Sequence, residues 1–191
     1  MYTSTPNTSR AESAAADVLI PLIRAAATIS FAIAPCSLGF VIVAVSEQLI
    51  RSIMVGDDPE MLMSDLQNQF PHHAIELNAN DDDGLVAKVV ELIERPDKAL
   101  ELPLDVRGTD FQMRVWDALQ KVPAGTTVSY TFLAEQIGAP NAAQAVAQAC
   151  AANPLAVAIP CHRAVCVSGD LAGYRWGIER KRVLLDREAN V

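Results

Sequence analysis

The feature that most restricts the fold of this chain is a run of 22 residues, 25–46, without a charged side chain. A helix of that length could cross a bilayer. Pro35 and Gly39 interrupt the run near its centre, and β-branched residues are frequent on both sides. Because proline and glycine mark turns and β-branched residues favour strands, the pattern predicts a buried hairpin with strands at 28–34 and 40–45 rather than a membrane span.

One more strand and a helix are predicted next to this hairpin. The third strand is expected at residues 49–55. Asp58 and Pro59 suit the N-cap and first turn of a helix. That helix would cover the sheet with apolar residues at four-residue spacing: Leu62, Leu66 and Phe70.

A second helix is predicted between the acidic run at 81–83 and Pro96. Acidic residues favour the positive end of the helix dipole, and proline ends a helix. The apolar face of this helix comprises Leu85, Val86, Val89, Val90 and Ile93. Before the hairpin, a polar tail and a short helix with Leu19, Ile20, Leu22 and Ile23 are expected in residues 1–25. The whole first half therefore has an α+β pattern.

The second half begins with about residues 96–108, which are predicted to link two domains because apolar residues alternate with polar ones at Leu100, Leu102, Leu104 and Val106. Thr109 and Gln112 fit a capping box. The helix that they start would bury Phe111, Val115 and Leu119.

Two short helices are predicted further along, at 130–137 and about 141–152, with a turn between them. The lengths of the two helices and the turn residues Gly138, Ala139 and Pro140 between them are typical of a helix-turn-helix. The second of them is rich in alanine, so its backbone could approach a DNA groove closely or pack tightly against another helix. The pattern leaves both alternatives open.

The charge of the chain is uneven, with 15 basic and 23 acidic residues and a net charge of −8. Residues 1–100 carry six basic and 14 acidic side chains, whereas residues 101–191 carry nine of each. Phosphate neutralisation dominates nonspecific DNA affinity, so this balance excludes a tight electrostatic clamp and predicts weak, salt-sensitive DNA binding. A basic cluster near the C-terminus could meet phosphates or form a salt-bridged helix face: Arg163, Arg175, Arg180, Lys181, Arg182 and Arg187.

The sequence Pro160-Cys161-His162-Arg163 indicates a cysteine that acts as a nucleophile. A thiol attacks as thiolate, so it needs a base, and an imidazole works best when a carboxylate fixes its tautomer. His162 is adjacent, and Glu188 is a candidate carboxylate. A lone Cys-His pair would more often be a core cysteine beside an unrelated histidine, so the surrounding motifs decide.

Those motifs make the chain resemble the O6-alkylguanine-DNA alkyltransferases. The hallmark of that family is Pro-Cys-His-Arg followed by Gly-Tyr-Arg-Trp-Gly, and residues 160–163 and 173–177 have these sequences. The similarity runs from about residue 29 to residue 188. It includes Leu-Pro-Leu-Asp at 102–105, Val-Ser-Tyr at 128–130 and Ala-Ala-Asn-Pro at 151–154.

The resemblance implies a catalytic role for five residues. Cys161 would accept the alkyl group, His162 would act as a base through a water molecule, and Glu188 would orient His162. Tyr130 would assist nucleotide rotation and protonation of the leaving guanine. Asn153 would brace the active-site turn. Taken alone, Tyr130 would more often be a core tyrosine and Asn153 a turn former.

The resemblance also implies a pocket and a DNA-facing surface. Tyr174 and Lys181 would line the alkylguanine pocket, and the Ala164 carbonyl would accept a hydrogen bond from the guanine amino group, although the family usually has valine there. The alanine-rich helix would enter the minor groove while the damaged nucleotide flips out. The predicted DNA contacts are Gln144, Ala142, Ala143, Ala145 and Arg163.

Gln144 departs from the family, which has an arginine at this position that inserts into the base stack. Flipping a base costs a few kcal/mol, and a glutamine fills some of the vacated space without adding charge. We therefore expect slower or weaker repair of duplex DNA, with a smaller penalty on single strands or free base.

The fold that the resemblance implies has two domains. Residues 26–98 would form a small ribonuclease H-like antiparallel sheet with helices. Residues 99–191 would form a mostly helical, winged-helix-like domain for DNA binding and catalysis. The expected reaction is an irreversible, single-turnover transfer of a methyl or other alkyl group from O6-alkylguanine in DNA to Cys161, without a cofactor. We expect a monomer whose partner is alkylated DNA.

Two other functions remain open at this stage. One is a lesion-binding or regulatory module with little or no transfer activity, suggested by Gln144 and the acidic balance. The other is a cysteine hydrolase, which would need an oxyanion hole. Four cysteines without zinc-site spacing predict reduced thiols and no metal site. With a polar start that lacks a secretory signal, they predict a cytoplasmic protein without membrane contact.

Overall fold

The computed structural model of the protein describes residues 28–78, 81, 84–96 and 101–190. The short helix predicted in residues 1–25 lies outside the described residues. The strands are β1 (Ile29–Cys36), β2 (Gly39–Ser46), β3 (Leu49–Gly56), β4 (Ile75–Leu77), β5 (Val128–Ser129) and β6 (Ala164–Val165). The α-helices are α1 (Pro59–Gln69), α2 (Leu85–Glu94), α3 (Asp110–Gln120), α4 (Tyr130–Gln136), α5 (Ala143–Ala151) and α6 (Ile178–Ala189), and a 3₁₀ turn spans Cys161–Arg163.

Residues 29–46 of the uncharged run form the predicted hairpin at the centre of a four-stranded sheet. The strand order is β3-β2-β1-β4, with β1–β2 and β2–β3 antiparallel and β4 parallel to β1. Strand β4, which is only three residues long, was not predicted from the sequence. No described helix is long and apolar enough to cross a membrane.

The helices beside the sheet start as their capping residues predict. The Asp58 side chain accepts a hydrogen bond from the Glu60 backbone N–H at the start of α1. The Asp81 carboxylate accepts from the backbone N–H groups of Val86 and Ala87 at the start of α2. Both helices bury their predicted apolar faces, including Leu66 and Val89, and the α+β class is confirmed.

The predicted linker is partly attached to the sheet. Leu104 forms a parallel bridge with Ile50, on the edge of β3 that faces away from β2. The alternation of apolar and polar side chains in this segment therefore reflects strand-like pairing as well as connection.

The second half contains the predicted capping box and helix-turn-helix. Thr109 and Gln112 exchange side-chain and backbone hydrogen bonds at the start of α3. Helices α4 and α5 pack against each other and against α3. The two-stranded parallel pair β5–β6 brings the residues after the Cys161 turn beside the start of α4.

Two arginines attach helix α6 to the N-terminal half of the chain. Arg180 donates to the Leu38 carbonyl O at 2.8 Å and pairs with Asp57. Arg187 donates to the carbonyl O of Ile93 at 2.8 Å. These contacts cross from the helix that carries Glu188 to the β1–β2 turn and its surroundings.

Candidate active site

Asn153 organises the turn between α5 and Cys161. Its side chain is fully buried, and its Nδ2 lies 2.9 Å from the Ile159 carbonyl O and 3.2 Å from Cys161 Sγ. Its Oδ1 accepts from the Leu155 backbone N–H at 2.9 Å. One amide thus ties both ends of the turn together and donates a hydrogen bond to the sulfur.

His162 is buried beside Glu188. The side chains are 2% and 1% exposed, and His162 Nε2 lies 2.9 Å from Glu188 Oε1. A carboxylate can only accept, so Nε2 carries the proton and Nδ1 is the basic nitrogen of the neutral ring. Nδ1 is buried and has no hydrogen-bond partner among the described protein atoms. The carboxylate therefore fixes a tautomer in which Nδ1 can accept a proton.

Arg163 has different partners from the phosphates that the sequence analysis predicted. Its Nε donates to both Glu188 oxygens at 3.1 and 3.0 Å, and its NH1 donates to the Val122 carbonyl O at 2.5 Å. The Gly125 backbone N–H also donates to Glu188, at 3.3 Å. The guanidinium faces inward, so the prediction of a DNA contact is replaced by a structural role in holding the Glu188 carboxylate.

The protonation of the site follows from its burial. Burial raises the pKa of Cys161 to about 11, although Asn153 and Lys181 favour the thiolate. Burial also lowers the pKa of His162, against the effect of Glu188. Burial raises the pKa of Glu188, but hydrogen bonds from His162 and Arg163 outweigh it and hold the pKa at about 2. At neutral pH the resting site holds a thiol, a neutral imidazole and a carboxylate.

The residues predicted to form the pocket surround this centre. The Tyr174 ring packs edge-on against His162, with ring centroids 6.4 Å apart. Lys181 is fully buried, and its Nζ donates to the Ala164 carbonyl O at 2.6 Å. The same Nζ lies 5.9 Å from the centroid of the half-buried Tyr130 ring. The Ala164 carbonyl, predicted to meet a guanine amino group, therefore already accepts from Lys181.

Burial also sets the pKa values of these groups. It raises the pKa of Tyr130 to about 12 and lowers the pKa of Lys181. Tyr130 is therefore a neutral hydroxyl that can donate a proton or a hydrogen bond at physiological pH.

The other arginines of the basic cluster are paired within the protein. The Arg175 guanidinium donates to the Asn153 carbonyl O at 3.1 Å and lies over the Trp176 ring. Arg182 pairs with Glu179 on α6. Four of the six cluster residues form ion pairs within the protein: Arg163, Arg180, Arg182 and Arg187. The link from Arg175 to Asn153 was missed because no local pattern pairs residues 22 positions apart.

The predicted DNA-facing residues lie at the start of α5. Gln144 is exposed, and Ala142, Ala143 and Ala145 are partly exposed. Ala142 occupies the N-cap without a capping side chain. This end of the helix offers backbone N–H groups and small side chains, with no charge of its own. Among the described residues, no group of three His, Cys, Asp or Glu side chains could hold a metal ion.

Fold and site together define a class: an α+β protein whose helix-turn-helix half carries a buried Cys-His-Glu cluster. Residues 110–190 match the family model described as "6-O-methylguanine DNA methyltransferase, DNA binding domain". Over 164 residues the chain is 51% identical to the bifunctional transcriptional activator/DNA repair enzyme Ada of Escherichia coli, covering 84% of this chain and 46% of that protein.

Solved structures agree with this match. The chain resembles the crystal structure of Mycobacterium tuberculosis O6-methylguanine methyltransferase with a TM-score of 0.71 and 35% identity, over 85% of this chain and 94% of that one. It resembles Mycobacterium tuberculosis OGT in complex with DNA with a TM-score of 0.72 and 34% identity, over 84% and 93%. The chain belongs to the O6-methylguanine-DNA methyltransferase family. It spans about half the length of the curated relatives that it matches first.

Proposed function

We propose that this protein repairs alkylated DNA by moving the alkyl group of O6-alkylguanine irreversibly onto Cys161. The observation that carries the proposal is the combination of two contacts at adjacent residues. Asn153 donates to Cys161 Sγ, and Glu188 fixes the His162 tautomer with a basic Nδ1. A nucleophilic displacement requires a sulfur and a base that can take its proton, and Cys161 and His162 are neighbours in the chain.

The first step is removal of the thiol proton. Because the pKa of Cys161 is raised, the thiolate forms only when the proton leaves during the reaction. His162 Nδ1 takes this proton through a bridging water molecule, and Glu188 stabilises the imidazolium that results. The buried Lys181 ammonium and the Asn153 amide favour the negative sulfur.

The second step forms a carbon–sulfur bond and breaks the carbon–oxygen bond of the alkylguanine. The electron pair of that bond stays on O6, and the guanine takes a proton from the Tyr130 hydroxyl. The proton held by His162 then restores Tyr130. A thioether remains on Cys161, so each molecule acts once. In this proposal, Tyr174 and Lys181 contact the flipped base.

Access to the pocket requires the nucleotide to leave the helix. In this proposal, α5 approaches the minor groove with Gln144, Ala142, Ala143 and Ala145. Gln144 is exposed there, so it can occupy space in the stack. It adds no guanidinium to pair with phosphates or stack on bases, and flipping from duplex DNA is correspondingly less favourable.

A second candidate function is binding of the lesion without transfer. The exposed Gln144 and the net charge of −8 are the observations that favour it. The contact between Asn153 and the Cys161 sulfur favours transfer instead, because lesion binding alone does not need an activated sulfur.

We further propose that the domain boundaries are 1–25, 26–98 and 99–191, and that the protein acts as a monomer in the cytoplasm without a cofactor. Lys181 donates to the Ala164 carbonyl O, and Arg163 pairs with Glu188, so these charged groups have partners within the protein.

A titration tests the proposal. Increasing amounts of a duplex oligonucleotide with one O6-methylguanine are mixed with a fixed amount of protein, and the repaired base is counted. We expect repair to stop at one base per protein molecule. Repair beyond one equivalent would contradict a single-turnover reaction. Binding of the oligonucleotide without repair would favour the lesion-binding module.

A further inference from the structure

The outer edge of β3 holds two segments from the second half of the chain. Ile50 donates its backbone N–H to segment 103–105 at 2.7 Å and accepts from it at 2.9 Å. Ile53 does the same with segment 154–156, at 2.9 and 3.0 Å. The second segment is the start of the turn that leads to Cys161. The active-site turn is therefore paired, like a short strand, with the N-terminal sheet.

A β-bulge makes both pairings possible on one edge. In a regular strand, the residues whose backbone groups face one edge alternate, so they are two or four positions apart. Ile50 and Ile53 are three apart, and the register between β2 and β3 shifts at Ala44 and Val45. Such bulges insert one residue and re-aim the strand. The bulge therefore directs the backbone N–H and C=O groups of Ile53 to the outer edge of β3, where they pair with the active-site turn.

Ser52 lies at the centre of this junction and is fully buried. Its hydroxyl O lies 3.3 Å from the Pro154 carbonyl O and 3.1 Å from the side-chain amide of Gln69. The hydroxyl has one hydrogen, which it donates to the Pro154 carbonyl when the Gln69 amide turns its NH₂ group toward Ser52 and donates to the hydroxyl O. The Pro154 carbonyl also accepts the Ile53 N–H, so the sheet contacts this oxygen twice. A buried hydroxyl without hydrogen bonds lowers the free energy of unfolding, so the contacts of Ser52 contribute to the stability of this junction.

The junction leads directly to the reacting sulfur. Pro154 follows Asn153, whose Nδ2 lies 3.2 Å from Cys161 Sγ. The Asn153 carbonyl O on the other side accepts from Arg175. A shift of the Pro154 carbonyl would therefore move the amide that contacts the sulfur. Displacements of about 1 Å at reacting groups can slow reactions about 100-fold.

We propose that Ser52, on the edge of β3, is a positioning residue for the reaction: it fixes the Pro154 carbonyl and thereby the Asn153 amide that holds Cys161 Sγ. The N-terminal sheet then contributes to the geometry of the nucleophile as well as to the stability of the fold. The reaction named here rests on the proposed function, whereas the positioning of the turn does not.

The test compares Ser52→Ala with a control in strand β1, Ser30→Ala, whose side chain is partly exposed. Ser30 is a serine of the same sheet whose hydroxyl donates to the Val45 carbonyl O at 3.4 Å, away from the active-site turn. Two quantities are measured on the full chain: the single-turnover rate of methyl transfer from an O6-methylguanine duplex, and amide hydrogen exchange in residues 154–161. Ser52→Thr, which keeps the hydroxyl, is measured in parallel.

We expect Ser52→Ala to slow transfer about fivefold and to accelerate exchange in residues 154–161 by a similar factor, as loss of one buried hydrogen bond would give. Ser30→Ala should change neither by more than about twofold, and Ser52→Thr should restore both. Equal effects of Ser52→Ala and Ser30→Ala, or no recovery in Ser52→Thr, would overturn the proposal. If the unaltered protein transfers no methyl group, the proposed function fails, and the exchange measurement still decides the role of Ser52.

Discussion

The reaction centre and the start of α5 are built in opposite ways. Cys161, His162 and Glu188 are buried, and each has a specific partner within the protein. At the start of α5, Gln144 is exposed and Ala142 caps the helix without a side-chain hydrogen bond. The chemistry thus depends on a few dense, directional contacts, whereas the DNA-facing surface depends on small side chains and shape. Mutations in the two regions should therefore affect different quantities.

The largest expected effect concerns the buried carboxylate of the reaction centre. The pKa of Glu188 is held at about 2. A carboxyl whose pKa is depressed in the folded state stabilises the fold above its unfolded pKa and loses that contribution as pH falls through its folded pKa. We expect about 3 kcal/mol of unfolding free energy to disappear between about pH 5 and pH 2.

Urea unfolding of Glu188→Gln at several pH values measures this contribution. The variant should lack that part of the pH dependence. Glu179→Gln, an exposed change on the same helix, is the control and should keep it. A Glu188→Gln curve parallel to that of the unaltered protein would place the acid sensitivity elsewhere and would weaken the contrast between the two regions.

His162→Ala tests the same centre kinetically. Without Nδ1 the thiol proton has no acceptor, so we expect transfer at pH 7.5 to slow about 100-fold. DNA affinity should change by less than about twofold, since α5 is untouched. Single-turnover kinetics and DNA binding measured by fluorescence anisotropy separate the two. His73→Ala, which removes a histidine from the N-terminal half, should leave transfer unchanged. An unaltered rate in His162→Ala would remove the base assignment.

The local elements of both halves could be predicted from the sequence because their signals are short-range. The hairpin, the Asp58 cap and the Thr109–Gln112 capping box each depend on neighbours within a few residues. The three-residue strand β4 and the bulge of β3 carry no such signal. β4 forms by pairing with β1, and the bulge of β3 lies where segments 103–105 and 154–156 pair with the outer edge of that strand.

Most residues of the site could be identified from the sequence, but several of their contacts could not. Adjacent motifs identified Cys161, His162 and Asn153, and the structure brings these residues together with Glu188. Arg163 was expected at phosphates because a sequence cannot tell a surface arginine from one facing a buried carboxylate 25 residues away. The contact of Ser52 with Pro154 joins residues 102 positions apart, beyond any sequence pattern.

Gln144→Arg tests the DNA-facing region. An added guanidinium at this exposed position should raise the rate on duplex O6-methylguanine about tenfold, through contacts with phosphates and stacked bases. The rate on free O6-methylguanine should not change. Gln148→Arg adds the same charge one helical turn further along α5 and should increase salt dependence without the duplex-specific gain. Equal gains on duplex and free base would show that position 144 acts on chemistry and would break the contrast.

The smallest expected effect is at the uncapped start of α5. Ala142→Ser supplies a hydroxyl that can accept from the first-turn N–H groups, and it should stabilise the protein by about 0.5 kcal/mol. Thermal unfolding measures the gain. Transfer to free O6-methylguanine should stay the same. A loss of stability would mean that the Ala142 backbone, with φ −104° and ψ 23°, does not permit capping.

The most direct test of the central claim is the intact mass of the protein after incubation with excess O6-methylguanine duplex, with the single-stranded oligonucleotide in parallel. Cys161→Ser is the control. The account predicts a gain of one methyl group, mapped by peptide analysis to Cys161 and absent from the control. No mass change on either substrate, or a methyl group on Cys36, Cys150 or Cys166 instead, would contradict it.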